Sequence, residues 1–192
     1  MRKLLLAALL AGTVATPAFA QDGGTFSGLR VEGIVGYDTT DVEDEGSNGL
    51  VYGAGAGFDI QSGNLVFGVD GEYSRSNLNE CVADVDVAND ELCAEAGREF
   101  FAGGRVGAVL GSNTLLYARA GYAKARIELD YDHPTNNTLD EIVREDLDGV
   151  RVGGGVEFAI GANAFAKAEY RYSNYEQGFD RHQVVGGFGL RF

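Results

Sequence analysis

The sequence predicts an all-β protein, an eight-stranded antiparallel up-and-down transmembrane β-barrel preceded by a cleavable signal peptide. Three observations lead to this fold class. Apolar and polar residues alternate with a period of two, which is the side-chain period of a β-strand. Most of the alternating segments reach 12 residues or more, whereas soluble strands average about 5–6 residues and a tilted membrane strand needs about 9–11. The chain also begins with a pattern typical of export.

Residues 1–20 have the composition of a secretory signal peptide. Arg2 and Lys3 precede a short apolar run, and small residues stand at Ala18 and Ala20, so cleavage is predicted after Ala20. Residues 21–192 then form a single barrel domain. Removing two bases and no acid changes the formal net charge from −14 to −16. This charge argues against nucleic acid as a partner, because phosphate neutralisation needs an excess of Lys and Arg.

Eight alternating segments are predicted as strands, joined by links that are short and long in turn. The strands lie near 26–37, 49–60, 64–75, 98–110, 114–127, 149–160, 164–175 and 181–192. Three links are tight turns rich in Gly, Asn and Ser, and the others are polar loops at 38–48, 76–97, 128–148 and 176–180. All tight turns therefore lie at one end of the barrel, the turn rim, and all loops at the other, the loop rim. This asymmetry is typical of bacterial outer-membrane barrels, whose long loops are extracellular.

One face of each strand is apolar, and the other carries charge. Aromatic residues lie near both ends of the apolar stripes, for example Tyr37 and Tyr73 toward the loop rim and Phe26 and Phe58 toward the turn rim. Two such girdles are expected of a lipid-facing surface. The charged face is predicted to line the lumen, where ions must be paired because they are removed from water. Its members are Arg30, Glu32, Asp59, Asp70, Glu72, Glu99, Arg105, Arg119, Arg151, Glu157, Lys167, Glu169, Arg171 and Arg191.

Alternation alone does not separate a membrane barrel from a soluble barrel with its apolar face inside. Strand length, aromatic girdles, loop asymmetry and the terminal Phe192 favour the membrane. Eight strands enclose a space just wide enough for side chains to fill. The predicted role is therefore structural and surface-exposed, in envelope integrity, as a surface antigen or in adhesion, with a lumen plugged by charge pairs. A narrow porin-like channel for water or small solutes is the alternative.

The chain resembles the eight-stranded outer-membrane barrels of the OmpA-type transmembrane domain and the opacity-type surface antigens, often labelled the porin family. The resemblance covers residues 21–192 and rests on the signal peptide, the Gly-rich strands "YGAGAGFDI" and "RVGGGVEF", and the terminal Phe192. It implies that the C-terminal strand, with Phe188, Leu190 and Phe192, is the signal read by the barrel-assembly machinery. Periplasmic chaperones are implied as partners before assembly.

Cys81 and Cys93 are the only cysteines, and a close pair in an exported chain predicts a disulfide. No catalytic site, cofactor or metal site is predicted. The two histidines, His133 and His182, have no serine nearby in the context of a nucleophile. The protein is therefore not expected to be an enzyme.

Basic residues on the outward face are candidates for contact with lipopolysaccharide. Lys124 and Arg126 follow Tyr122 toward the loop rim, and Arg75 and Arg98 occupy similar heights. The alternative is that these side chains extend to water without a fixed partner. The acidic loops would form a repulsive, solvated rim or bridge to lipopolysaccharide through divalent cations. The expected partners are thus outer-membrane lipid and lipopolysaccharide, and the barrel is expected to be monomeric.

Overall fold

The computed structural model describes residues 24–42, 45–77, 79–83, 91–132, 141–176 and 180–192. Within these ranges no helix is long and apolar enough to cross a bilayer. The predicted signal peptide lies outside the described residues and stays a prediction. The described strands are β1 Gly28–Val42, β2 Glu45–Ser62, β3 Leu65–Ser76, β4 Asn79–Ala83, β5 Glu91–Leu110, β6 Thr114–Asp132, β7 Glu141–Ile160, β8 Ala164–Tyr175 and β9 Asp180–Arg191.

The strands close into an antiparallel barrel in the order in which they occur in the chain. β1 pairs with both β2 and β9, which joins the first strand to the last. Phe192 completes this seam, because its amide donates to the Leu29 carbonyl at 2.8 Å. β3 and β4 both pair with β5, so they occupy one position in the sheet. The barrel is therefore eight-stranded, as predicted.

Three glycines with positive φ form the tight turns at the turn rim. Gly63, Gly111 and Gly161 have φ angles of 60°, 71° and 67°, and they follow β2, β5 and β7. A residue without a Cβ adopts this left-handed conformation without steric cost. The turns lie where the sequence predicts them, which fixes the direction of every strand.

The strands extend farther toward the loop rim than predicted. β5 begins at Glu91 and β7 at Glu141, while β4 lies wholly within the predicted loop 76–97. β1 and β2 likewise continue into the predicted loop 38–48. The prediction was wrong there because it relied on apolar alternation, and these extensions have no regular alternation in the sequence.

The apolar stripes face outward, and the charged stripes face the barrel axis. Val69 and Ile60 are 64% and 60% exposed, whereas Arg30 and Asp59 are 1% and 0% exposed. A water-soluble barrel would bury the first pair and expose the second. The outward face is therefore suited to lipid, as the sequence predicts.

Candidate functional site

The lumen is the candidate functional site, because it concentrates buried ionisable side chains. All of them stand at inward positions of the strand alternation, which brings residues far apart in sequence onto one axis. Among the described residues the buried ions are eight acids and eight bases, none more than 8% exposed: Glu32, Asp38, Asp59, Asp70, Glu72, Glu99, Glu157, Glu169, Arg30, Arg105, Arg119, Arg151, Lys167, Arg171, Arg181 and Arg191.

Near the turn rim, three guanidinium groups surround the carboxylate of Asp59. The nearest atoms of Arg30, Arg105 and Arg191 lie 3.1, 2.6 and 2.7 Å from it. Arg105 and Arg191 also hold Glu157, at 2.9 and 2.6 Å. Two buried carboxylates thus share three bases, and Arg30 links this cluster to the next.

Glu72 and Glu169 organise the middle of the lumen. Arg171 binds both carboxylates, at 2.6 and 2.5 Å, and Arg119 also reaches both, at 3.2 and 3.1 Å. Lys167 lies 3.5 Å from Glu169 and 2.7 Å from Glu32. Every carboxylate named here therefore contacts at least one base.

Two further contacts complete the middle of the lumen and join it to the turn-rim cluster. Asp70 lies 2.5 Å from Arg119 and 3.5 Å from Arg30. Arg30 also lies 3.3 Å from Glu32. The side chain of Arg30 occupies space left by Gly57, since a Cβ there would be 2.8 Å from its Nη2 atom. A side chain at Gly57 would displace the guanidinium that links the two clusters.

Glu99 is the centre of the network near the loop rim. It accepts hydrogen bonds from Arg151, from Arg181 at 2.9 Å and from the Tyr175 hydroxyl at 2.6 Å. Arg181 also donates to Asp38 at 2.8 Å. Asp38 and Arg181 were not predicted as a lumen pair, because Asp38 was assigned to a loop. The signal in the sequence is that Asp38 continues the inward series of β1 and Arg181 that of β9.

Two apolar clusters pack among the ions, one toward each rim. Neither cluster was predicted, because the inward face was expected to be polar. The only signal in the sequence is that several large apolar residues stand at inward positions of the strand alternation. The cluster toward the turn rim contains Phe26, Val66, Leu115 and Tyr117, and the cluster toward the loop rim contains Phe101, Ala123, Ala125, Leu147 and Tyr175.

Phe26 was predicted to lie in the lipid-facing girdle, and this prediction is wrong. The side chain is fully buried, because residues 24–27 turn under the barrel before β1 begins. The Phe26 amide donates to the Gln61 side chain at 2.9 Å, and its carbonyl accepts from Arg191 at 2.7 Å. The ring lies 5.8 Å from the Arg191 guanidinium carbon. Phe26 therefore packs inside the barrel at the turn rim.

Outside the lumen, Lys124 and Arg126 face acids across the β6–β7 ladder. Lys124 lies 3.3 Å from Asp146, and Arg126 donates to the same carboxylate at 2.7 Å. The Arg126 guanidinium beside Asp146 lowers the pKa of that carboxyl to about 2. Asp148 accepts from the Tyr122 hydroxyl. The two bases predicted to meet lipopolysaccharide thus form an ionic ladder with these acids.

The other predicted residues lie on the outside of the barrel. Phe188, Leu190 and Phe192 are 58%, 43% and 58% exposed on the outward face of the last strand. His182 also lies outside the lumen, with Nδ1 2.6 Å from the Tyr170 hydroxyl. His133 lies outside the described residues. Within the described ranges no cluster of three His, Cys, Asp or Glu side chains is arranged to hold a metal ion.

The two cysteines lie on neighbouring strands. Cys81 stands directly opposite Cys93 in the register of β4 and β5. The disulfide itself stays a prediction.

A closed eight-stranded barrel with an apolar exterior and a charge-balanced interior defines an integral membrane protein of the outer-membrane type. Over residues 5–192 the chain matches the outer membrane protein beta-barrel domain family, and it belongs to that family. The protein is thus located in the bacterial outer membrane.

Two relatives have names that place them in the outer membrane. The chain is 28% identical to a 22 kDa outer membrane protein of Rhizobium leguminosarum bv. viciae, over 93% of this chain and 83% of the relative. It is 30% identical to a 25 kDa outer-membrane immunogenic protein of Brucella ovis, over 73% of this chain and 62% of the relative.

Two solved structures share the fold. Neisserial surface protein A superimposes with a TM-score of 0.57 at 18% identity, over 86% of this chain and 98% of that one. The attachment invasion locus protein Ail of Yersinia pestis, solved with the heparin analogue sucrose octasulfate, gives 0.53 at 13% identity, over 86% and 99%. At these levels of sequence identity, the two structures show a shared fold and nothing about function.

Proposed function

We propose that the protein is a structural, surface-exposed component of the outer membrane whose lumen is sealed to ions. The observation that carries this proposal is that the buried ions and two apolar clusters interlock along the axis, since the Tyr117 hydroxyl donates to Glu169 and the Tyr175 hydroxyl to Glu99. An ion entering such a lumen would exchange its water for groups already engaged with one another, and it would have to displace packed side chains. The name of the Brucella relative, an immunogenic protein, supports exposure at the cell surface. We propose that the protein has no catalytic activity.

Planar-bilayer recording tests the sealed lumen directly. We expect the reconstituted barrel to give no steady conductance at moderate voltage in molar salt. Protein confirmed as folded by its heat-modifiable mobility on a gel is the sample, and heat-unfolded protein is the control. A reproducible conductance step from the folded barrel alone would overturn the proposal.

A narrow path for water is the second candidate, and one group of atoms favours it. Gln183 is 1% exposed, and within the described residues neither polar atom of its amide has a hydrogen-bond partner. The Ser76 hydroxyl on the facing wall has none there either. Buried polar groups of this kind are commonly solvated by internal water. Proteoliposomes that shrink faster than empty liposomes under osmotic shock would favour this candidate, and equal rates would exclude it.

We propose that Cys81 and Cys93 form a disulfide in the exported protein. Directly opposite residues on antiparallel strands have Cα atoms about 4.5–5.5 Å apart, within the range of about 4.4–6.8 Å that disulfides span. We expect maleimide to label the native protein only after reduction, whereas Cys81→Ala leaves Cys93 reactive from the start. Labelling of the unreduced native protein would contradict the bond.

We propose that the barrel contacts lipopolysaccharide and is monomeric, with assembly through the C-terminal strand by the barrel-assembly machinery and periplasmic chaperones. The exposed apolar face of that strand supports the assembly step. Phe192→Ser is expected to lower the folded fraction in outer membranes, and an unchanged folded fraction would contradict the assembly role. The proposed lipid contact needs a cationic surface at headgroup height. On β6 both predicted bases are already matched by acids.

A further inference from the structure

An aromatic pocket lies on the outer surface where β8, β9 and β1 approach the loop rim. Val184 on β9 lines it and stands directly opposite Tyr37 on β1 and Tyr170 on β8. All three side chains are exposed. His182 and Thr39 line the side nearer the loop rim, and the volume of the pocket is about 340 Å³. The pocket therefore belongs to the aromatic girdle, where the hydrocarbon ends and lipid headgroups begin.

The two tyrosines stand at a separation that suits a cation between them. Neighbouring strands lie about 4.8 Å apart, so the backbones of Tyr37 and Tyr170, one strand either side of Val184, are separated by about 10 Å. A cation held midway would lie within about 6 Å of both rings, the range over which an aromatic face attracts a positive charge. The register of three strands thus forms a site with an aromatic ring on each side.

Contacts with His182 fix the orientation of the aromatic residues on β8. The hydroxyl of Tyr170 lies 2.6 Å from the Nδ1 atom of His182. The ring of Tyr172 lies 5.1 Å from the imidazole on the other side, between ring centroids. The Tyr170 ring is therefore held in place before any ligand arrives, which lowers the entropic cost of binding.

The outward positions around the pocket carry one acid and no Lys or Arg. These positions alternate along β8 from Ala164 to Asn174, along β9 from Asp180 to Leu190 and along β1 from Leu29 to Thr39. Asp180 is the acid, and it accepts a hydrogen bond from the Asn174 side chain at 2.6 Å. A cation bound here would meet two ring faces below a carboxylate, whereas an anion would meet no base. The charge of this side of the barrel therefore favours a cation.

An apolar groove begins directly below the pocket on the same two strands. Val35 stands opposite Gly186 in the next outward row toward the turn rim, and both residues line a groove of about 640 Å³. Gly33 and Ala54 also line the groove, together with Phe188. Because the hydrocarbon region contains no water, an acyl chain is what fills a groove of this kind. Pocket and groove thus follow each other in the order of the headgroup and the acyl chain of a lipid.

We propose that the pocket binds the quaternary ammonium group of a phosphocholine lipid between Tyr37 and Tyr170, and that one acyl chain of this lipid lies in the groove. A quaternary ammonium has no N–H group to donate, so it loses no hydrogen bond to water when aromatic faces surround it. The groove below favours a lipid over a soluble choline compound. Such a lipid site is additional to the proposed structural role, and it depends neither on the sealed lumen nor on the contact with lipopolysaccharide.

Native mass spectrometry of the purified barrel titrated with phosphatidylcholine tests the site. We expect Tyr170→Leu to bind this lipid about fivefold more weakly than the unaltered protein, as expected when one cation–π contact is lost. Tyr170→Phe keeps the ring face and should stay within about twofold. The matched control is Tyr122→Leu, since Tyr122 is 50% exposed in the same girdle and Tyr170 is 51% exposed; its affinity should not change. Heat-modifiable mobility confirms that each variant is folded.

Two further arms separate the ammonium group and the groove from other features of the lipid. Phosphatidylethanolamine, which has the same net charge but a primary ammonium, should bind the unaltered barrel about fivefold more weakly than phosphatidylcholine. Phosphocholine without acyl chains should compete only at concentrations at least about tenfold higher than the lipid, because it buries no apolar surface in the groove. Equal weakening by Tyr170→Leu and Tyr122→Leu, equal affinity for the two lipids, or equally strong competition by soluble phosphocholine would overturn the proposal. Conductance recordings are independent of these outcomes, so failure of the sealed lumen would leave this site standing.

Discussion

Replacing Asp59 with asparagine removes one negative charge from the centre of three guanidinium groups. The side chain keeps its size, so the change isolates charge from packing. Asp59 is fully buried, and Arg30, Arg105 and Arg191 all contact it within 3.1 Å. Arg105 donates to both carboxylate oxygens, at 2.8 and 2.6 Å. The three bases left behind are themselves buried.

The expected loss in the free energy of unfolding is about 3–5 kcal/mol, the cost of breaking a buried ion pair on one side only. Glu157 remains to hold Arg105 and Arg191, at 2.9 and 2.6 Å, which keeps the loss within this range although three contacts are affected. With a dependence on urea of about 2 kcal/mol per molar, the midpoint of unfolding falls by about 1.5–2.5 M.

Urea unfolding of the barrel in lipid vesicles, followed by heat-modifiable mobility on a gel, measures this shift. Asp146→Asn is the matched control, because it makes the same chemical change in an exposed ion pair and should lower the midpoint by no more than about 0.5 M. The double variant Asp59→Asn/Arg105→Met should lose less than the sum of the single variants, since it removes acid and base together. A midpoint for Asp59→Asn equal to that of the unaltered protein would refute the reasoning.

Three further outcomes are expected. Phe26→Ala should lower the free energy of unfolding by about 3–5 kcal/mol through loss of a buried aromatic ring, measured as a urea midpoint; no change would mean that the ring is not packed in the lumen. Gly36→Ala should reduce the folded fraction, because a Cβ there would lie 2.3 Å from a backbone carbonyl oxygen of β9, whereas Gly71→Ala, whose nearest neighbour would be 3.7 Å away, should fold normally on the same gel. The lowered pKa of Asp146 means that its pair with Arg126 stabilises the fold at neutral pH. This contribution is lost as pH falls from the ordinary value of 3.8 through about 2. Carbon NMR of the carboxyl group should give a titration midpoint of about 2, and a midpoint near 3.8 would contradict the pairing.

The sequence predicts those parts of the barrel in which the two faces of a strand meet different surroundings. β8 has the predicted bounds, Ala164–Tyr175, because lipid on one side and ions on the other impose a period of two along its whole length. β7 begins eight residues earlier than the predicted 149, at Glu141. The residues before 149 have no regular apolar alternation, so hydrogen bonding extends the strand without leaving a pattern in the sequence.

The sequence predicts the charged residues of the candidate site but not its two apolar clusters. Parity along a strand gives the face on which a residue lies, so Glu72 and Arg171 could be assigned to the lumen. Parity does not give which inward residues meet across the axis. Phe101 and Tyr175 therefore gave no signal of a shared cluster. Phe26 was assigned outward because it precedes β1, where the turn at 24–27 sets its direction.

An ionic lumen is not the most stable way to fill a barrel of this width. Buried ion pairs can often be replaced by well-packed apolar residues of similar size with no loss, or with a gain, in stability. Here such replacement would remove Arg151 and Glu157 from the segment 150–160 of β7 and leave it apolar throughout. Charge at alternate positions keeps the mean hydropathy of the chain at −0.10. Charge at inward positions therefore also lowers the hydropathy of each strand before the barrel forms.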